Sequence, residues 1–276
     1  MQTRVGFKSK ANRLYYFITV LVLLTVMACK QESNTNITEL KGADVNKVVT
    51  EVSEQKSYNN LTELILDGNA LGASGRYQEA IEIYSQALKI NPHSFDAYYG
   101  RGSANRQLEY YDRAIEDYTR AIALNPQKPE IFILRAGSYS LLGKYELALK
   151  DYDQAIILNP KQSESYAGRG VLYWKLRQHK NGLEDFDKAI NIKPNDPEYY
   201  HVRGLLYGLL GNHQQSIKDC KSAIKLNPKL AQAYHTLAAA YSNEKDYKLA
   251  IKNMKIAAQL GLKEAQDILK SDGMSW

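Results

Sequence analysis

Cys29 is the residue in this sequence whose surroundings most clearly indicate chemistry. It follows a segment with four basic residues and an apolar run of 14 residues over positions 14–27. A basic segment, a short apolar run and a small residue before the cleavage point are typical of a secretory signal, whereas a membrane-spanning helix needs about 20 apolar residues. We therefore predict a signal peptide over residues 1–28, with a nucleophilic thiol directly after it. A single membrane-spanning anchor and an ordinary signal with a chance cysteine are the alternatives.

The residues Val26, Met27, Ala28 and Cys29 resemble a bacterial lipobox, although Met27 is bulkier than the usual residue there. In proteins with that motif the signal is cut before the cysteine, the thiol is lipidated and the new amino group is acylated. One acyl chain binds a membrane only marginally, so several chains are needed for firm anchoring. The resemblance implies that Cys29 is a lipidation site and that the protein is lipid-anchored in a bacterial cell envelope. Lys30, in place of Asp, favours the outer membrane.

The other side chains capable of chemistry do not form a recognisable catalytic site. Cys220 is far from Cys29, so the two make neither a disulfide framework nor a metal motif. His201, His235 and Glu198 are residue types that bind zinc. Glycine-rich phosphate loops, nucleophile elbows and metal-ligand clusters do not occur in the sequence. The sequence therefore predicts no enzyme, no cofactor and no metal site.

Proline recurs with a fixed period through most of the chain. Successive prolines are 34 residues apart at Pro92, Pro126, Pro160, Pro194 and Pro228. A constant period of this length indicates a solenoid of repeated units. The six units are residues 61–94, 95–128, 129–162, 163–196, 197–230 and 231–264, and repeat positions are counted from 1 to 34 within each.

Three positions of the repeat carry small residues and one carries a larger residue. Position 27 is alanine in all six units, positions 8 and 20 are Gly, Ala or Ser, and position 24 is Tyr, Phe, Cys or Met. Small residues let two antiparallel helices approach closely, and a proline after the second helix ends it. One helix pair cannot bury its own apolar face, but a stack of pairs can.

This pattern resembles the tetratricopeptide-repeat (TPR) family over about three quarters of the chain. The resemblance implies an all-α, right-handed superhelical solenoid of about six antiparallel helix pairs, with a C-terminal capping helix and tail over residues 265–276. Cys220, at position 24, is then a packing residue. His201 and His235 fall at position 5 of neighbouring units, which lie roughly 10 Å apart, and that is far for two ligands of one metal ion.

Residues 29–60 connect the signal to the repeats. The stretch to about residue 43 is polar and predicts a tether, and the spacing of the valines over residues 44–57 allows a short helix. The first 28 residues hold four of the 36 basic residues and none of the 30 acidic ones, which leaves a net charge of +2 for the rest. The mature chain is close to neutral, so its charge does not indicate a nucleic-acid partner.

Units two to five share an arginine at position 7 and an aspartate at position 23, and units one and six lack both. This paired presence and paired absence predicts repeated structural ion pairs. Their members are Arg101, Asp117, Arg135, Asp151, Arg169, Asp185, Arg203 and Asp219. An arginine row that binds an acidic partner is the alternative.

Members of this family bind peptides or whole domains, usually in a concave groove lined by the first helix of each pair. Carried over to positions 5, 9, 12 and 13, the groove residues are Tyr99, Arg106, Ile133, Val171, Trp174, Lys175, His201 and Leu205. Trp174 is one of two tryptophans, and an exposed tryptophan with apolar neighbours is typical of a binding anchor. The alternative is that Trp174 packs against the neighbouring helix.

These features predict a scaffold or adaptor that binds a peptide or protein partner while the lipidated Cys29 holds it on a bacterial membrane. A lipid anchor followed by six such repeats is similar to two kinds of bacterial lipoprotein. One helps secretin or pilus machinery assemble, and the other gathers cell-wall hydrolases. A role in the assembly of an envelope complex is therefore expected. The alternatives are a secreted or periplasmic adaptor without a lipid and, less favoured by the sequence, an enzyme or a metal-binding protein.

Overall fold

The computed structural model describes residues 60–276. Cys29, the predicted signal, the polar tether and the possible helix over residues 44–57 lie outside the described residues. Within residues 60–276 the chain forms thirteen α-helices and no strand, arranged as six consecutive pairs and one further helix. The predicted all-α class is confirmed. In this part of the chain, the apolar stretches of the helices are too short to span a bilayer.

The helices are short and of nearly constant length. They are α1 (Leu61–Ala73), α2 (Tyr77–Ile90), α3 (Phe95–Gln107), α4 (Tyr111–Leu124), α5 (Pro129–Leu141), α6 (Tyr145–Leu158), α7 (Ser163–Lys175), α8 (His179–Ile192), α9 (Pro197–Leu209), α10 (His213–Leu226), α11 (Ala231–Asn243), α12 (Tyr247–Gln259) and α13 (Lys263–Ser271).

The Asn-Pro dipeptides end the second helix of a pair through two local effects. Asn91 is the C-cap of α2, and its side-chain oxygen accepts a hydrogen bond of 2.9 Å from the N–H of His93. The equivalent bonds to Asn159 and Asn227 are 3.1 and 3.0 Å long. Such a turn satisfies a backbone donor just beyond the helix, and proline cannot continue the helix.

Position 15 of the repeat turns the chain from the first helix of a pair into the second. The backbone angle φ is positive at this position in all six repeats, at Gly75, Glu109, Gly143, Arg177, Gly211 and Lys245. Glycine adopts this left-handed conformation freely, whereas residues with a Cβ adopt it less readily. Three of the turns are therefore formed without the residue type that would signal them in the sequence.

The described residues form two compact units, 60–151 and 152–276, each with its own core. In the first unit, Leu64, Ala80 and Tyr84 belong to one buried cluster and Tyr118 to another. In the second unit, Phe186 is fully buried. The small residues at positions 20 and 27 are all almost inaccessible, which allows the close helix approach that the repeat pattern predicts.

The last helix closes the C-terminal end of the second unit. Ala265 and Leu269 of α13 are buried in a cluster with Met254 and Ala257 of α12. The helix begins at Lys263, two residues before the predicted start at 265, because Leu262 adopts an extended conformation and serves as the N-cap. Its apolar face thereby covers the last complete pair.

Candidate functional site

Each arginine at position 7 forms a bidentate ion pair with the aspartate at position 23 of its own repeat. In repeat four, Nε and Nη2 of Arg169 donate to the two carboxylate oxygens of Asp185 at 2.8 and 2.9 Å. All four aspartates are buried, with 2–5% of each residue exposed. The shortest nitrogen–oxygen distance is 2.7 Å in Arg101–Asp117, Arg135–Asp151 and Arg203–Asp219.

The remaining guanidinium nitrogen, Nη1, bonds to position 25 of the preceding repeat. In chain order the acceptors are Ser85 Oγ at 3.1 Å, Thr119 Oγ1 at 3.0 Å, Asp153 Oδ1 at 2.6 Å and Asp187 Oδ1 at 2.5 Å. We call the four arginines and their two sets of acceptors the arginine ladder. Each arginine joins two consecutive repeats, so the ladder stabilises their stacking.

Sequence reasoning found the first acceptor and missed the second. The signal at position 25 is weak because the residues there share no type, being Ser, Thr, Asp and Asp. The clearest hint of the second acceptor is found where the arginine is missing. Repeat six has Leu237 at position 7, and the preceding repeat has Lys221, which is not an acceptor, at position 25. Lys221 instead lies over the ring of Tyr241, with Nζ 5.6 Å from its centroid.

The guanidinium groups of the ladder are also covered by aromatic rings. The rings at position 4 lie 5.7–5.8 Å from the arginine Cζ and belong to Tyr98, Phe132, Tyr166 and Tyr200. The hydrogen bonds that Arg169 donates to Asp185 raise the pKa of Arg169 above its usual value, although burial lowers it. Pairing and stacking inside the protein favour a structural role over an arginine row for an acidic partner.

The residues predicted to line the groove are not equally accessible. Four of them are buried, with 2–8% exposed, namely Arg106, Val171, His201 and Leu205. Nε2 of His201 lies 3.3 Å from Oγ1 of Thr236 on the neighbouring first helix, and Arg106 is held against the hydroxyl of Tyr118. The neighbouring first helix thus covers His201, and the second helix of its own pair contacts Arg106, so these residues are less accessible than their repeat positions indicate.

The other four predicted groove residues, Tyr99, Ile133, Trp174 and Lys175, remain partly accessible. The ring of Trp174 packs on His179, with centroids 4.1 Å apart and planes tilted by 44°. His179 is the first residue of α8, so the tryptophan contacts the second helix of its own pair while part of it stays exposed. Burial lowers the pKa of the neighbouring Lys175.

An open cavity of about 260 Å³ lies between the first helices of repeats one and two. Its lining includes Gly72 and Ala73 of α1 and the aromatic residues Tyr77, Tyr84 and Tyr99. Gly72, Ala73 and Tyr99 hold positions 12, 13 and 5, so the cavity opens on the face predicted to form the groove. Sequence reasoning missed it, because glycine and alanine at positions 12 and 13 of repeat one look like ordinary variation.

Models of the tetratricopeptide repeat match residues 66–129, 138–176, 163–196, 197–230 and 231–260, well over half of the chain. The chain is a tetratricopeptide-repeat protein. Members of this family act as protein–protein interaction scaffolds, and their stacked repeats offer extended binding surfaces. This TPR protein therefore has a fold suited to protein partners.

Solved structures share the fold of this TPR protein. Pseudomonas aeruginosa pilF matches with a TM-score of 0.65 at 17% identity, over 76% of this chain and 97% of its own. A tetratricopeptide repeat protein from Parabacteroides merdae ATCC 43184 matches with a TM-score of 0.63 at 23% identity, over 80% and 87%. MamA from Desulfovibrio magneticus RS-1 has a TM-score of 0.55 at 19% identity, over 63% and 97%. These identities show the fold alone, and no curated protein sequence matches the chain.

The cysteine and histidines of the repeats lie in packed surroundings. Burial raises the pKa of Cys220 to about 12, so its thiol stays protonated and unreactive at neutral pH. Burial lowers the pKa of His235 to about 4, which keeps its ring neutral. Nδ1 of His201 is 3.7 Å from Glu198. Within residues 60–276, no three or more His, Cys, Asp or Glu side chains are grouped so as to hold a metal ion.

Proposed function

We propose that this TPR protein is an adaptor of the bacterial cell envelope. In this proposal a lipid on Cys29 holds it at the outer membrane, and the first helices of its repeats bind a peptide or protein partner. The observation that carries the binding role is the family match over most of residues 66–260. The basic and apolar leader that ends at Cys29 supports the anchor.

The partner is proposed to belong to an envelope complex whose assembly the adaptor assists. A lipid anchor followed by TPR repeats is similar to lipoproteins that act on secretin, pilus or cell-wall hydrolase systems. Residues 30–59 between the lipid and α1 can span at most about 100 Å when extended. That reach allows the repeats to meet a partner that is not itself embedded in the membrane.

Replacing Cys29 by alanine is expected to abolish lipid labelling of the protein. The thiol is the nucleophile to which the lipid is attached, and alanine offers no replacement for it. Metabolic labelling with a fatty-acid analogue, followed by fractionation of the envelope, measures the effect. Cys220→Ala serves as the matched control and should label like the wild type. Equal labelling of Cys29→Ala and the wild type would contradict lipidation at Cys29.

Replacing Trp174 by alanine is expected to weaken binding of the partner by about 30-fold, since truncating an aromatic anchor commonly costs about 2 kcal/mol. Affinity capture from membrane extract with mass spectrometry identifies the partner, and titration of the purified partner measures its affinity. Trp276→Ala is the control, because Trp276 is 44% exposed and lies in the C-terminal tail. Unchanged affinity of Trp174→Ala, together with a large fall in melting temperature, would assign Trp174 to packing alone.

A further inference from the structure

We infer that the cavity between repeats one and two is the anchor pocket of the binding surface. It takes a single large, uncharged side chain, aromatic or branched aliphatic, from a partner polypeptide. This inference rests on the proposed function, because it names the kind of residue by which the partner is held.

The cavity exists because four helix positions that face it carry small residues. They are Gly72 and Ala73 of α1, and Gly100 and Ala104 of α3. In repeat four, Trp174 and Lys175 hold the positions of Gly72 and Ala73. In repeat five, Val202 and Leu206 hold the positions of Gly100 and Ala104. A Cβ built on Gly72 would meet no heavy atom within 4 Å, so the space beside this residue is open. The first two repeats thus leave a gap where the pair of repeats four and five carries larger side chains.

The wall of the cavity is formed before any ligand arrives. The hydroxyl of Tyr84 donates a hydrogen bond of 2.7 Å to Oδ1 of Asn69, and only 3% of Tyr84 is exposed. Its ring lies so close to Gly100 that a Cβ there would collide with it. The ring is therefore held at the side of the cavity and does not swing across it. A rigid wall of this kind lowers the entropy cost of binding.

Charge and size together indicate which ligand fits. None of the ten lining residues is charged. A charged ligand group would therefore lose its hydration without gaining an opposite charge in the cavity. The volume of about 260 Å³ lies below the range of about 300–1,000 Å³ that is usual for small-molecule sites, which favours one side chain over a cofactor. Asn69, Ser103 and Gln107 add neutral polar groups to a lining that otherwise consists of tyrosine, glycine and alanine.

The test uses blocked amino acids as probes of the full-length chain. N-acetyl-tryptophan amide, N-acetyl-leucine amide and N-acetyl-lysine amide are titrated while the backbone amide resonances are followed by NMR. The tryptophan and leucine probes are expected to shift the resonances of Gly72, Gly100 and Ala104 and to bind at least tenfold more tightly than the lysine probe. Equal binding of the lysine probe, or shifts centred elsewhere, would overturn the inference.

Filling the cavity provides the matching variant. Gly72→Leu should weaken binding of the tryptophan probe at least tenfold without lowering the melting temperature, because leucine is the better helix former and the space is open. The matched control is Gly137→Leu, at a helical glycine of α5 that also has open space beside it. It should leave probe binding within twofold. Undiminished binding by Gly72→Leu would contradict the assignment.

Two further outcomes decide what occupies the cavity. Val48 belongs to the segment of residues 44–57. Probe binding that strengthens tenfold in Val48→Asp would assign the cavity to this segment, and binding that strengthens tenfold on dilution of the protein would assign it to a second copy. Either result would overturn the assignment to a partner. Gly72→Leu should also lose the partner that the wild type captures. If it keeps that partner, the pocket assignment is wrong and the adaptor function stands. If the wild type captures no partner but the probes bind the cavity, the adaptor function is wrong and the side-chain pocket stands.

Discussion

Replacing Asp151 by alanine is expected to lower the free energy of unfolding by about 3 kcal/mol, since removing one partner of a buried pair leaves the other charge uncompensated. Nε and Nη2 of Arg135 each lie 2.7 Å from a carboxylate oxygen of Asp151, which is 5% exposed. Burial lowers the pKa of Arg135, but the hydrogen bonds and charge of Asp151 outweigh this and raise it. Arginine stays protonated in folded proteins, so the guanidinium keeps its charge when the aspartate is removed.

Two variants separate the loss of this pair from ordinary surface effects. Thr119→Ala removes the second, neutral acceptor of Arg135, which lies 3.0 Å away and is exposed, and should cost no more than about 1 kcal/mol. Replacing Arg135 and Asp151 together by leucine should cost less than Asp151→Ala alone, because no charge is left buried. Thermal and urea unfolding measure all three variants. A melting temperature of Asp151→Ala equal to that of the wild type would show that the ion pair contributes nothing.

The fold was predictable because its determinants repeat. All six units carry small residues at the same positions and the first five end with the same proline, so weak local signals combine into one strong periodic signal. The pairing of position 7 with position 23 was predictable for the same reason, as the two residues are present or missing together. The second acceptor was not, because a hydroxyl in Ser85 or Thr119 and a carboxylate in Asp153 or Asp187 perform the same task.

The binding surface was less predictable because it depends on neighbours. Periodicity indicates which face of a helix points away from its own pair. It does not indicate how closely the next repeat covers that face, and this coverage is what buries residues such as His201. The cavity at Gly72 arises from glycine or alanine at four positions on two helices. Only the packed structure shows that these four positions face one another.

Replacing Gly182 by leucine is expected to destabilise the protein by up to about 3 kcal/mol, which is the usual cost of overpacking a tight helix contact. Repeat four is the only one with glycine at both position 8 and position 20, as Gly170 and Gly182. A Cβ added to Gly182 would lie 2.9 Å from the backbone oxygen of Gly170 and 3.5 Å from the backbone N of Trp174. Backbone atoms cannot rotate away, so α7 and α8 would have to separate.

The alanine variant gives the sharpest contrast between repeat pattern and structure. Four other repeats carry alanine at position 20, and alanine favours a helix over glycine by about 1 kcal/mol, so the pattern alone predicts that Gly182→Ala stabilises the protein. The contact with Gly170 predicts a lower melting temperature instead. Gly137→Ala is the control, because its Cβ would meet nothing within 4 Å and only the helix preference should act. If both alanine variants melt above the wild type, the two helices of repeat four can separate at little cost, and the close contact is not what requires glycine at residue 182.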